Sequence, residues 1–174
     1  MNAWSKKSNV LFQLAGREVG QVRIAREPGG HWSYLGTDLL LIQSDKPTLN
    51  LEGFSMSTPE AEFARVVRHL AGHALGFGHE SLPQEVIARI DRPKAYAHFR
   101  EAKGWDQHME DETVLKPLNE HTSMFTSPST ASIMSYQLPG EVMQNGRAFL
   151  GGQDILDSDH HFAERVYPKS RYPY

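Results

Sequence analysis

Three histidines set the chemical question. They stand in the run His69-Leu70-Ala71-Gly72-His73-Ala74-Leu75-Gly76-Phe77-Gly78-His79. His69 and His73 are four residues apart, close to one helical turn, so on a helix both imidazoles project from the same face. Two rings so placed can hold one zinc ion at about 2.0–2.1 Å each. His79 lies six residues further on, where a continuing helix would carry it away from the other two. Gly76 supplies the reversal, because glycine adopts the positive φ of a sharp helix exit. Three histidines can then make one face of a tetrahedral site and leave the fourth position open. That open position separates a catalytic from a structural zinc site. The competing reading is a helix with surface or hydrogen-bonded core histidines, and the spacing weighs against it.

The run needs a helix beneath it, and the residues before it supply one. Ser57-Thr58-Pro59-Glu60 fits a capping box with proline in the first turn. Phe63, Val67, Leu70, Ala74 and Phe77 then recur at steps of three and four, which predicts a helix over 59–75 ended by Gly76 and Gly78. Upstream, 10–14, 20–25 and 39–43 have strand composition, and 48–54 alternates weakly as an edge strand would. Downstream, 93–103 reads as a helix stopped by Gly104. Residues 117–140 read as a long shaped loop, and Asp157 caps a last helix to about 166. Trp4, Trp32 and Trp105 read as core or cleft-wall residues.

Composition narrows the classes. The chain has 174 residues, no cysteine, nine histidines, 39% hydrophobic residues and a net charge of −3. That length predicts one domain over 1–174. Without cysteine there is no disulfide scaffold, thiolate metal site or cysteine nucleophile. The balanced charge argues against a nucleic-acid or polybasic membrane surface. No apolar run approaches the about 20 residues of a membrane span, and the first thirty residues carry no signal-peptide core. His31, His98, His108, His121, His160 and His161 have no ligand spacing and read as surface or hydrogen-bonding residues.

Downstream stands Ser132-Ile133-Met134-Ser135-Tyr136. Three histidines, a glycine turn and a later Ser-Ile-Met-x-Tyr together resemble the metzincin clan of zinc peptidases, nearest to the astacin family and its bacterial relatives. Trp32-Ser33-Tyr34-Leu35-Gly36-Thr37 and Pro47-Thr48-Leu49-Asn50-Leu51 resemble the family's strand region above its cleft. Gly104-Trp105 and Val166-Tyr167-Pro168 are also similar. The resemblance implies an α+β zincin domain. Its upper part is a twisted, mostly parallel mixed sheet with the active-site helix; its lower part is loop-rich, with a methionine turn and a C-terminal helix. It implies His69, His73 and His79 as ligands to zinc, with Met134 as an apolar floor beneath the rings. Tyr136 matches the tyrosine that approaches the zinc or the scissile carbonyl oxygen. Glu80 matches the glutamate that follows the third histidine and is linked to the mature N-terminus, a structural role. The substrate would be a protein or peptide lying extended along an edge strand at 50–54. Relatives are often secreted, and the N-terminal part is short for the family.

One residue departs from the pattern. The family motif is His-Glu-x-x-His, and here Leu70 stands where the general-base glutamate belongs. Leucine can neither accept nor return a proton, which predicts a rate loss of about 10²–10⁴. Three explanations compete: an engineered inactivation, a natural non-catalytic peptide-binding relative, or a base supplied from elsewhere. Glu80, Asp159 and Glu62 are candidates for that base by residue type alone.

Overall fold

A computed structural model describes residues 1–16, 19–80, 82–116 and 131–169. Residues 117–130 of the expected long loop, with His121, lie outside them. The chain folds as two compact units, one of Met1–Gly78 with Asp154–Tyr174 and one of His79–Gln153. Among the described residues no helix is long and apolar enough to cross a membrane.

In the first unit, three short strands form a mixed sheet in the order β1-β3-β2: β1 (Ile24–Ala25), β2 (His31–Ser33) and β3 (Leu49–Leu51). β1 runs parallel to β3 and β2 antiparallel to it, so the sheet is mixed rather than mostly parallel. β3 is the central strand, which corrects the edge-strand reading of 48–54. Its alternation is weak because both faces are covered. Leu49 and Leu51 pack toward the long helix α1 (Glu60–Ala74), while Asn50 is buried on the other face. The Asn50 amide satisfies itself there, donating to the Glu27 and Gly30 carbonyls and accepting from the Glu27 N–H. A buried polar group so bonded looks, in sequence, like a solvent-facing one.

Three further expectations change. Residues 10–14 form no ladder, and Leu11 and Leu14 are exposed. Only Ile24–Ala25 of 20–25 pairs. The stretch 39–43 is not a strand: Gly36–Leu41 is a 3₁₀ helix, entered at Gly36 with φ +51°, and only Leu39 of its leucines is buried. A tight three-residue turn hides one side chain in three, so the apolar run cannot go inside together.

α1 occupies nearly the expected span, but its capping box is absent. The helix begins at Glu60 after Pro59, and the Thr58 hydroxyl accepts from the Ser55 N–H in the preceding turn. Its buried residues are Val66, Leu70, Ala71, Gly72 and His73, whereas Phe63 of the expected stripe is 46% exposed. The helix has the sheet on one side and the 3₁₀ turn Asn2–Lys6 on another, so its covered surface is rotated and wider. From that turn Trp4 is fully buried, donating its indole N–H to the Arg68 carbonyl and meeting Phe77 edge-on. Arg23 organises the sheet's flank: its guanidinium donates to the carbonyls of Gly20, Gln21, Ile42, Gln43 and Lys46. The C-terminal helix α5 (Asp157–Val166) forms as expected, with Asp159 rather than Asp157 accepting from the Leu156 N–H.

The second unit is loop-rich and helical, as the lower part was expected to be. It holds α2 (Gln84–Ile87), α3 (Arg92–Lys103) and α4 (Gln107–Thr113). Asp91 caps α3 and Gly104, at φ +68°, ends it. Asp106 caps α4 through the Met109 N–H. One apolar cluster runs through the unit, including Phe99, Val114, Leu115, Tyr136 and Leu138.

Candidate metal centre

The end of α1 shapes the site. After Ala74 the Gly76 N–H bonds the His73 carbonyl at 2.8 Å and the Phe77 N–H bonds the Gly72 carbonyl at 2.9 Å. These two bonds make a Schellman turn, and Gly76 takes φ +91° as that turn requires. A side chain on the neighbouring Gly36 would place a Cβ 3.0 Å from the Gly76 Cα, so the two glycines let the chain segments touch. The Tyr167 phenol donates to the Leu75 carbonyl at 2.7 Å and fixes the turn from α5's end.

His69 and His73 project together from α1, their ring centres 4.5 Å apart. The reversal then returns the continuous chain at His79, and the ligand-capable nitrogens of all three histidines lie within 4.8 Å of one another. His73 is buried; His69 and His79 are half-buried. The His73 Nδ1 lies 2.8 Å from the Phe77 carbonyl. A carbonyl can only accept, so Nδ1 carries the proton and Nε2 presents a lone pair. Three neutral imidazoles converging in this way fit a borderline divalent metal, and no carboxylate belongs to the group among the described residues.

Tyr136 stacks on His79, with ring centres 4.0 Å apart and planes inclined by 28°. It is buried, and burial pushes its phenol up to about 12, so it stays protonated and able to donate. Met134 is 4% exposed within a turn in which the Ser135 N–H bonds the Ser132 carbonyl. The Met134 carbonyl accepts from the Glu80 N–H at 3.0 Å, and Glu80 and Ser135 form an isolated parallel bridge. The methionine turn is thus stitched to the residue after His79. Glu80 is buried at that seam.

Leu70, one residue after His69, is 3% exposed in an apolar cluster with Leu49, Leu51, Phe54 and Val66. Two of the candidate bases are engaged elsewhere. Glu62 receives two bonds from Arg65, at 2.7 and 3.0 Å, which hold its carboxyl below the usual range. Asp159 caps α5. The other histidines stand apart: His31 packs on Phe54, His98 pairs with Glu141 and His161 with Glu164. His160 is buried, contrary to a surface reading.

Gly152 was not anticipated. Its N–H bonds the Ser132 carbonyl, and a Cβ there would lie 2.2 Å from the carbonyl oxygens of Ala131 and Ser132. The consecutive glycines Gly151-Gly152 are the only trace of this close approach in the sequence.

No protein-family model matches the chain, and no curated protein matches it. Solved structures do. A crystal structure of myroilysin is 30% identical, with a TM-score of 0.77; the match spans 97% of this chain and 74% of that one. Another structure of myroilysin is 28% identical, with a TM-score of 0.76, and the match spans 97% and 83%. Mixed α+β units and a helix-and-turn that converges three imidazoles define a metallopeptidase-like scaffold. Within that class, the chain belongs to the myroilysin family.

Proposed function

We propose that residues 1–174 form one metzincin-type domain, nearest to the astacins, that holds zinc on His69, His73 and His79 and binds proteins or peptides in extended form. As it stands, with Leu70, hydrolysis is very slow or absent. The observation that carries this reading is the three-histidine convergence beside a buried leucine. Zinc, when bound, supplies Lewis acidity that polarises a carbonyl and acidifies water. The chain's own residues do the rest. The His73–Phe77 contact holds one ring in its ligating tautomer. The neutral Tyr136 phenol donates to a developing oxyanion. Met134 and Glu80 position His79 through the seam beneath it. Leu70 carries no proton, so the shuttle step has no agent.

The peptide edge moves with the correction to the sheet. β3 is paired on both sides, so the antiparallel edge strand β2 takes the role given to 50–54. The Tyr34 N–H bonds the Thr48 carbonyl and Trp32 faces Asn50, so by alternation the main-chain groups of His31 and Ser33 point away from β3. These are the groups an added strand would use.

The second reading is a natural peptide-binding protein without catalysis, favoured by the fit of Leu70 into its apolar cluster. Zinc-loaded wild type, Leu70→Glu and Leu70→Gln separate the two on a peptide library. The peptidase reading expects Leu70→Glu to cleave at least about 10²-fold faster than the other two. A folded, zinc-loaded Leu70→Glu protein that cleaves nothing favours the binding protein.

A further inference from the structure

Glu110 sits in α4 with its side chain turned inside. It is 1% exposed, and its Oε1 has no hydrogen-bond partner among the described residues. Arg92, the cation that favours its charge, is engaged next door, and its acidic neighbours only oppose ionisation. Asp111 receives the Tyr96 phenol at 2.8 Å and Arg92 at 3.4 Å, both from α3. Asp106, at the start of α4, spends a carboxylate oxygen on the Met109 N–H. The Glu110 carbonyl accepts from the N–H groups of Val114 and Leu115, which are 0% and 3% exposed in the apolar cluster. Tyr136 belongs to that same cluster. An ionised carboxylate with a bare buried oxygen is strongly disfavoured, whereas the neutral acid is tolerated.

We infer that Glu110 is carried as a neutral acid in the folded protein, and that its ionisation toward the alkaline side loosens α4 from the cluster that backs Tyr136. The electrostatics agree. Burial raises its carboxyl most, Asp111 raises it further and Arg92 opposes, leaving it at about 7 against an ordinary 4.5. Between those two values the unfolded chain has released a proton that the folded chain retains. Stability therefore falls as pH rises through that window and levels off above it. This is a pH-sensitive seat in the second unit, and it requires neither metal nor turnover.

Denaturant unfolding of the full chain at pH 5 and pH 8, for wild type and Glu110→Gln, tests it. Glutamine keeps the shape and cannot ionise. The folding constant of Glu110→Gln relative to wild type is expected to rise by roughly 10–100-fold from pH 5 to pH 8. A ratio that does not change with pH overturns the inference. Should the variant fail to fold, the wild-type Glu110 carboxyl carbon can be titrated by NMR. A midpoint near neutrality, with amide protection in α4 falling alongside, supports the inference; a midpoint at or below 4.5 overturns it.

Discussion

Leu70 belongs to one buried cluster with Leu49, Leu51, Phe54 and Val66, and at 3% exposed it is nearly as buried as Leu49. A carboxylate placed there must leave apolar company or lose its charge. Leu70→Glu is therefore expected to cost about 2–4 kcal/mol of stability in metal-free protein. Leu70→Met should stay within about 1.5 kcal/mol of wild type. Thermal melts of the two variants in chelator check this. Equal melting points would mean that position 70 opens to solvent. The three-histidine group was legible because residue types and spacing alone bring such side chains together. The contact that sets the tautomer of His73 was not, since it comes from a main-chain carbonyl, and every residue has one.

At the scale of elements, α1 could be read from its period, and its exit from Gly76, because both depend on neighbours within a turn. β1 and β3 lie within the stretches 20–25 and 48–54 read as strands, but their short extent and the central place of β3 could not be read. β3 hides its alternation behind a satisfied Asn50, and 36–41 shows an apolar run that a 3₁₀ turn mostly exposes. Trp4 was legible as a core residue, but its bond to the Arg68 carbonyl and those of Arg23 to Ile42 and Lys46 reach distant segments, so no local pattern announces them. The methionine turn was legible as a motif, but its support at Gly152 was not. Gly152→Ala forces a Cβ into two backbone oxygens that cannot move independently of the turn. The expected loss is about 2–4 kcal/mol, with the Met134 and Ser135 amides losing hydrogen-exchange protection. Gly78→Ala, which meets nothing within 4 Å and has no positive φ, should change stability by less than about 0.5 kcal/mol. A Gly152→Ala protein as stable as wild type would remove Gly152 from the account.

For the molecule as a whole, two buried titratable groups limit stability from opposite sides of the pH scale. Glu110 acts as described above. His160 is 5% exposed, its Nδ1 has no partner among the described residues, and its ring meets Trp4 at 6.3 Å. Burial lowers its pKa from the ordinary 6.5, and Lys6 lowers it further, against the pull of Asp157 and Asp159. Burial therefore favours the neutral ring in the folded chain more than in the unfolded one. Its contribution is fully present above pH 6.5 and is lost as pH falls from there through the lowered folded value. Relative to wild type, His160→Phe should become more stable between pH 7.5 and pH 5; coincident profiles would show that the ring protonates freely in the fold.

The proposed metal centre rests on His69, His73 and His79. Its most direct test is zinc content per chain, measured by elemental analysis on protein purified without chelator and dialysed against trace zinc. Wild type is predicted to retain one zinc per chain and His73→Ala none, with the variant still folded by circular dichroism. Zinc-free wild type, or a His73→Ala protein that keeps its zinc, would contradict it.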